Sequence, residues 1–188
     1  MGKAPFVLLL TGPAGAGKTT VAAEWASSRS APTAHVSLDD VRDFVKAGYA
    51  NPEDGWNEET QAQYDLAREL CATMARGYVE AGISCALDDA IFPEWAEVGY
   101  EPWRRALRDV PHVLVVLLPR LEVARRRNEV GHDGHRRLRP KTVQMIYEDM
   151  MPWREAGVPL IDNSDLSVAE TVAEVDRVLD DVPVVAHG

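Results

Sequence analysis

The sequence predicts an α/β fold in three layers, with a parallel sheet between two layers of helices. Short apolar runs alternate along the chain with longer amphipathic stretches, which is the order produced by parallel strands and right-handed helical crossovers. The chain has 188 residues, the length of one ordinary domain. We therefore treat residues 1–188 as a single domain.

Five apolar runs are predicted to be strands. The run 6–10 consists of five consecutive apolar residues and ends just before Thr11-Gly12, as expected for a strand that helices cover on both faces. The run 113–118 is the clearest buried strand. The predicted strands are residues 6–10, 34–38, 83–87, 113–118 and 158–161.

The stretches between these runs are predicted to be mainly helical. The predicted helices are residues 18–28, 58–80, 93–108, 121–129, 141–151 and 168–180. Pro102 is expected to break the helix 93–108. Residues 39–55 and 130–139 are rich in turn-forming residues and are predicted to be irregular.

Composition and charge narrow the possible partners. The net charge of −10 argues against a general nucleic-acid-binding protein, which needs a basic face. Seven of the sixteen arginines fall between Arg120 and Arg139, a cluster suited to one small polyanionic ligand. No apolar run approaches the roughly 20 residues of a membrane span, and the apolar run near the start is too short for a signal peptide. We expect a cytoplasmic protein without a membrane partner, with Cys71 and Cys85 reduced and buried.

The segment after the first strand matches the phosphate-binding pattern GxxxxGK[ST] in full. Its glycines let backbone N–H groups turn inward around an anion, and the following helix N-terminus adds its dipole. In this motif the lysine, here Lys18, reaches the β- and γ-phosphates, and the hydroxyl of Thr19 ligates magnesium. We therefore predict ATP and Mg²⁺ as ligands. The residues predicted to hold ATP in this segment are Gly12, Pro13, Ala14, Gly15, Ala16, Gly17, Lys18, Thr19 and Thr20.

Two acids and an arginine follow the second strand. Ligands bind beyond the carboxyl ends of parallel strands, so the segments after the first three strands should face one crevice. Asp39 is predicted to accept a proton from a hydroxyl nucleophile, with Asp40 as the alternative base, and Arg42 to place a cation beside the incoming phosphoryl group. In the structural alternative, Asp39 caps the next helical turn and Arg42 forms a surface pair.

Two further acids follow the third strand. A carboxylate at the end of an apolar strand beside a phosphate loop can hold the magnesium shell. Asp88 is the predicted metal residue, Asp89 is the alternative, and one of the two could cap a helix.

Residues 125–140 are predicted to form an arginine-rich lid, because guanidinium groups on a mobile segment can close over transferring phosphates. The alternative is a solvated basic helix face. His132 and His135 in this segment are predicted to be exposed rather than metal ligands. Trp56, Trp95 and Trp103 lie in segments expected to flank an acceptor pocket, with Trp95 and Trp103 predicted to be helical core.

These motifs together resemble the small P-loop kinases of the AAA_33 type. The most similar subset is that of the zeta-toxin-like and chloramphenicol phosphotransferase-like proteins. The stretch ISCALDDAIF, residues 83–92, is particularly similar to the third-strand region of chloramphenicol phosphotransferase. The resemblance implies a five-stranded parallel sheet in the order 2-3-1-4-5. It also implies that Asp39 is the catalytic base and that Arg127 and Arg136 are lid arginines near the adenine and phosphates.

The sequence thus predicts an ATP-dependent phosphotransferase that acts on a hydroxyl of a small molecule, such as an antibiotic, a nucleoside or a sugar-like compound. The predicted catalytic residues are Lys18, Asp39, Arg42 and Arg136. The Asp39-Asp40 pair and Arg42 depart from the chloramphenicol enzymes and leave the acceptor open. An ATP-binding regulatory switch with slow hydrolysis and a polynucleotide-end kinase are the alternatives, the latter disfavoured by the acidic charge. Either a monomer or a homodimer is compatible with the sequence.

Overall fold

The computed structural model describes residues 4–131, 136–182 and 184. Its strands are β1 (Val7–Thr11), β2 (Thr33–Ser37), β3 (Ser84–Asp88), β4 (His112–Leu117) and β5 (Leu160–Ile161). All pair in parallel in the order β2-β3-β1-β4-β5. The predicted α/β class and strand order are confirmed.

Helices lie on both sides of this sheet. They are α1 (Lys18–Ser27), α2 (Leu38–Arg42), α3 (Glu58–Glu80), α4 (Tyr100–Ala106), α5 (Leu121–Gly131), α6 (Pro140–Met150) and α7 (Val168–Asp181). Short 3-10 helices span Pro52–Asp54 and Met151–Glu155. Within the described ranges, none of the helices is long and apolar enough to cross a membrane.

The alternation of side chains along β1 separates two apolar cores. Leu8 and Leu10 belong to the core that β1 forms with α1 and α7. Val7 and Leu9 belong to the core formed with α3 and α4. All four side chains are fully buried, which is why this strand is a continuous apolar run.

Helix α3 has the predicted bounds because both of its ends carry clear signals. The Asn57 side chain accepts a 3.0 Å hydrogen bond from the backbone N–H of Thr60 and so caps the first turn. Gly82 follows the last turn with a left-handed φ of 83°, where the chain leaves the helix for β3.

The predicted helix 93–108 is wrong over its first half. Residues 93–99 are irregular, and Gly99 forms an isolated bridge with Phe92. A Cβ at Gly99 would overlap the carbonyl oxygen of Trp95, so this turn is tight enough to require glycine. Pro102 does not break α4, because it lies in the first turn, where its missing N–H has no helical partner to lose.

The prediction that residues 39–55 are irregular is also only partly right. Strand β2 leads straight into α2, and the 3-10 helix Pro52–Asp54 follows a short loop. Ser37 occupies the N-cap position of α2. Asp39 is therefore not the capping residue; it lies in the first turn, where the helix dipole favours a negative charge.

Candidate active site

The phosphate-binding loop connects β1 to α1 at the carboxyl edge of the sheet. The φ angles of Gly12, Gly15 and Gly17 are 150°, 77° and 90°. Residues other than glycine rarely adopt φ angles in this range. A Cβ at Gly12 would overlap the carbonyl oxygen of Leu117, and a Cβ at Gly15 would overlap that of Ala124. The loop therefore has the backbone conformation and close packing of an anion-binding nest.

Lys18 and Thr19 begin α1 directly behind this loop. The Lys18 ammonium makes a single hydrogen bond within the described residues, 3.3 Å to the carbonyl of Pro13, so most of its donor capacity faces the cavity. The Thr19 hydroxyl donates a 2.7 Å hydrogen bond to Asp88 Oδ1 at the end of β3. The predicted magnesium residues therefore adjoin each other across the crevice.

Two residues of β2 hold Asp88 in place, and the sequence analysis missed both. Nε2 of His35 lies 2.7 Å from Asp88 Oδ2, and the Ser37 hydroxyl lies 3.3 Å from Oδ1. Strand pairing explains the contact, because Ser37 is directly opposite Asp88 in the parallel register. His35 and Ser37 are two positions apart, so their side chains lie on the same face of β2 and both orient Asp88. This spacing is the sequence signal that could have identified them.

Asp89 has a different role from Asp88. It is buried, and its two oxygens accept hydrogen bonds from the backbone N–H of Ala90, at 2.6 Å, and from Nε1 of Trp103, at 2.8 Å. Burial raises the pKa of its carboxyl to about 6, although the hydrogen bond from Trp103 opposes this shift. Asp89 lines the cavity, whereas Asp88 is the acid that bonds to Thr19.

The structure separates the two acids after β2. Asp39 lines the cavity, and its side chain is 57% exposed. Asp40 instead forms a 2.7 Å ion pair with Arg136. The geometry therefore favours Asp39 over Asp40 as the base facing a bound ligand.

Arg42 is much more enclosed than the sequence suggested. Its side chain is only 3% exposed and lies 3.8 Å from Asp39 Oδ1. Nη2 donates a 2.9 Å hydrogen bond to the carbonyl of Ala50, and the guanidinium lies 3.9 Å from the ring centre of Tyr64 and 4.8 Å from that of Tyr49. The surface-pair alternative is wrong, because this arginine is buried against Asp39 and the two tyrosine rings.

The described part of the predicted lid connects to the α2 side of the cavity. Arg136 pairs with Asp40 and also with Asp43, whose Oδ2 accepts from its Nε at 2.9 Å. Arg139 Nε lies 3.1 Å from Glu53 Oε2. His132 and His135 lie outside the described residues, and the lid as a moving element stays a prediction.

Arg127 lies at the other end of the cavity, in α5. Its Nη2 donates a 2.9 Å hydrogen bond to the carbonyl of Asn163, and burial lowers the pKa of its guanidinium. The Asn163 side-chain amide donates a 3.0 Å hydrogen bond to the carbonyl of Ala16 in the phosphate loop. Asn163 follows β5, so the position after this strand also contributes to the site, which the sequence analysis missed.

One cavity of about 830 Å³ brings together the phosphate loop, Asp39, Asp89 and Arg127. Asp40 and Asp88 are not among its lining residues. Its lining also includes aromatic and apolar side chains, which we call the aromatic wall. The side chains of this wall are Tyr49, Trp56, Tyr64, Phe92, Trp95, Val98, Met145 and Ile146. Trp95 was predicted to be helical core, but it lies in the irregular segment 93–99 and faces the cavity.

A parallel 2-3-1-4-5 sheet with a phosphate loop after its central strand defines the class of the protein: it has the P-loop kinase fold. Residues 7–138 match the model of the AAA domain family AAA_33. The chain belongs to this family. No curated protein matches the chain in sequence, so the finer likeness to chloramphenicol phosphotransferase-like or zeta-toxin-like proteins stays a prediction.

Several solved structures share the fold over nearly the whole chain. A sugar kinase from Janibacter sp. HTCC2649 is 16% identical with a TM-score of 0.64, covering 95% of this chain and 96% of its own. A gluconokinase from Sinorhizobium meliloti 1021 is 14% identical with a TM-score of 0.66, with coverage of 96% and 94%. Shikimate kinase from Acinetobacter baumannii, solved with shikimate, is 16% identical with a TM-score of 0.61, and 94% of each chain is covered.

Proposed function

We propose that the protein transfers the γ-phosphoryl group of ATP to a hydroxyl of a small molecule. The observation that carries the proposal is that Lys18, Thr19 and Asp39 line one cavity. The cavity, at about 830 Å³, is large enough for both substrates, and Asp39 would act as the base beside the phosphate-binding residues. The kinase fold and the kinases among the structural neighbours support the same reaction class.

The donor side would hold ATP through the loop amides and Lys18. Arg127, beside Asn163, would contact the adenine end of the nucleotide. The Thr19 and Asp88 oxygens are hard ligands of the kind that Mg²⁺ prefers. Among the described residues there is no cluster of three or more His, Cys, Asp or Glu side chains that could hold a metal without other ligands. Thr19 and Asp88 would therefore hold Mg²⁺ together with nucleotide oxygens and water. The ion would neutralise charge on the β- and γ-phosphates.

The acceptor side would position a hydroxyl at Asp39. The acceptor oxygen forms a bond to the γ-phosphorus while the bond from that phosphorus to the β–γ bridging oxygen breaks, releasing ADP. Asp39 accepts the hydroxyl proton, and Arg42, 3.8 Å away, keeps this carboxylate oriented. Because phosphoryl transfer depends mainly on positioning and charge neutralisation, these groups suffice for it.

The test is ADP release, with phosphorylated product followed by ³¹P NMR, in a panel of sugars, nucleosides and antibiotics. We expect at least one acceptor to raise ADP release above the rate with water. Asp39→Asn should lower transfer by about 10²–10⁴-fold, and Lys18→Ala should abolish it.

Asp40→Asn is the matched control, because it makes the same change one residue away on a side chain paired with Arg136. It should retain most of the activity. The proposal is wrong if no acceptor raises ADP release, or if Asp39→Asn transfers as fast as the wild type.

A further inference from the structure

The acceptor half of the cavity is acidic. Its charged lining residues, apart from the phosphate loop and Arg127, are four carboxylates and two guanidiniums. These are Asp39, Asp43, Glu53, Asp89, Arg42 and Arg136. An anionic acceptor would therefore enter a region with an excess of negative charge.

Both guanidiniums already have acidic partners on the acceptor side of the cavity. Arg42 is buried between two tyrosine rings and faces Asp39. Arg136 is paired with Asp40 and Asp43. Recognition of a carboxylate or phosphate on the acceptor would require one of these pairs to break.

The same half of the cavity is rich in aromatic rings. Phe92 and Trp95 stack with ring centres 4.7 Å apart and planes 18° from parallel. The ring centres of Trp56 and Tyr64 lie 4.9 Å apart. All four rings line the cavity, so they offer apolar contact and π faces to a ligand.

Asp89 lies at this aromatic wall without a cation bonded to it. Its two oxygens accept only from the neutral N–H groups of Ala90 and Trp103 in the described part of the chain. The nearby Arg68 directs its guanidinium to Asp65 and to the carbonyl of Glu97, at 2.9 and 2.8 Å. A buried carboxylate in this state gains most from a positively charged ligand group.

We propose that the acceptor is an amino alcohol with an aromatic or apolar body, whose ammonium group binds between Asp89 and the aromatic rings while its hydroxyl reaches Asp39. This inference rests on the proposed function for the role of the hydroxyl. The ammonium replaces its lost hydration with a carboxylate and π faces, and the body of the ligand covers the aromatic wall.

Three matched probes test the charge preference without requiring turnover. Phenylalaninol, N-acetylphenylalaninol and 3-phenyllactate each carry one ring and one hydroxyl, and they are cationic, neutral and anionic at pH 7.5. Binding to the full chain saturated with Mg·ADP is measured by isothermal titration calorimetry. We expect phenylalaninol to bind about tenfold more tightly than the neutral probe, and the anionic probe to bind most weakly. Equal or reversed order overturns the proposal, as does a series in which none of the three binds.

Asp89→Asn tests the assignment to this residue. It should remove the preference for the cationic probe and leave the affinity for the neutral probe within about twofold. Asp109→Asn is the control, because it removes the same charge at an exposed site outside the cavity, and it should keep the preference. A preference that persists in Asp89→Asn contradicts the assignment.

Trp95→Leu provides a second variant that keeps the carboxylate and should weaken binding of the cationic probe more than that of the neutral one.

Failure of the phosphotransferase reaction is distinguishable from failure of this inference. The first shows as absent ADP release with every acceptor, and the second as a wrong charge order in binding.

Discussion

The hydroxyl of Thr19 and the carboxylate of Asp88 form a 2.7 Å hydrogen bond across 69 positions of the chain. Pairing of β1 with β3 brings them together, because it aligns the ends of the two strands at the same edge of the sheet. The bond holds the two oxygens that we propose as Mg²⁺ ligands beside the phosphate loop. Preorganisation of this kind lowers the cost of ordering the site when the ligand binds.

Asp88→Asn should weaken the response to Mg²⁺, because the amide keeps the shape of the side chain but loses the charge that attracts the ion. We expect the Mg²⁺ concentration for half-maximal activity to rise by about 10–100-fold. The measurement is a Mg²⁺ titration of ADP release at saturating ATP. Asp109→Asn should show the wild-type curve, and an unchanged curve for Asp88→Asn would remove Asp88 from the metal site.

Gly15→Ala should destabilise the protein and abolish nucleotide binding. The new Cβ would overlap the carbonyl oxygen of Ala124 in a backbone conformation with φ 77°. Gly48→Ala is a matched control, since Gly48 has φ 75° but open space around it. Thermal unfolding should show a loss of about 1 kcal/mol for Gly48→Ala, from backbone strain alone, and a clearly larger loss for Gly15→Ala. Equal losses would contradict the close packing.

Arg136→Gln should lower the rate of transfer by about 10–100-fold if this guanidinium stabilises the transferring phosphoryl group. Arg139→Gln is its control. Both arginines pair with acids on the α2 side, but only Arg136 lines the cavity. The two kcat values are compared at saturating ATP, and a similar fall in both would indicate a structural role for the pairs instead.

Asp89 should make stability depend on pH in the direction opposite to that of an ion-paired acid. Its pKa is raised from 3.8 to about 6, so between these values the folded protein holds a proton that the unfolded chain has lost. The contribution of Asp89 to the free energy of unfolding is therefore greatest below about pH 4. It decreases by roughly 3 kcal/mol as the pH rises to about 6.

Urea unfolding of wild type and Asp89→Asn at pH 4.5, 5.5 and 7 isolates this contribution, because all other groups titrate in both proteins. The free energy of unfolding of the wild type relative to the variant should decrease with rising pH. A constant difference would show that the carboxyl titrates normally.

The parts of the fold with strong local signals could be predicted from the sequence. Helix α3 has its predicted bounds because a capping asparagine and a left-handed glycine mark its ends. The prediction of a helix over residues 93–99 failed because Phe92, Trp95 and Val98 recur every three residues, as on a helix. In the structure these side chains line the cavity from an irregular turn. The spacing of apolar residues cannot distinguish these two cases, since both bury the same side chains.

Site residues that lie together in one segment could be predicted from the sequence. Contacts that depend on how two strands are aligned could not. The position of Asp88 beside the phosphate loop could be predicted from the chain order alone. The contacts of His35 and Ser37 with Asp88 depend on which residues of β2 and β3 are opposite each other. The enclosure of Arg42 by Tyr49 and Tyr64 depends on the path of a loop and on the packing of α3, neither of which has a local sequence signal.

The packing of Gly15 against Ala124 has a mechanical consequence. Together with the bond from Arg127 to Asn163, it attaches the first two turns of α5 to the phosphate loop and to the segment after β5. The phosphate-loop end of the cavity is thus held to α5 and to the segment after β5 at several points. We expect substitutions in these contacts to disturb nucleotide binding more than acceptor binding.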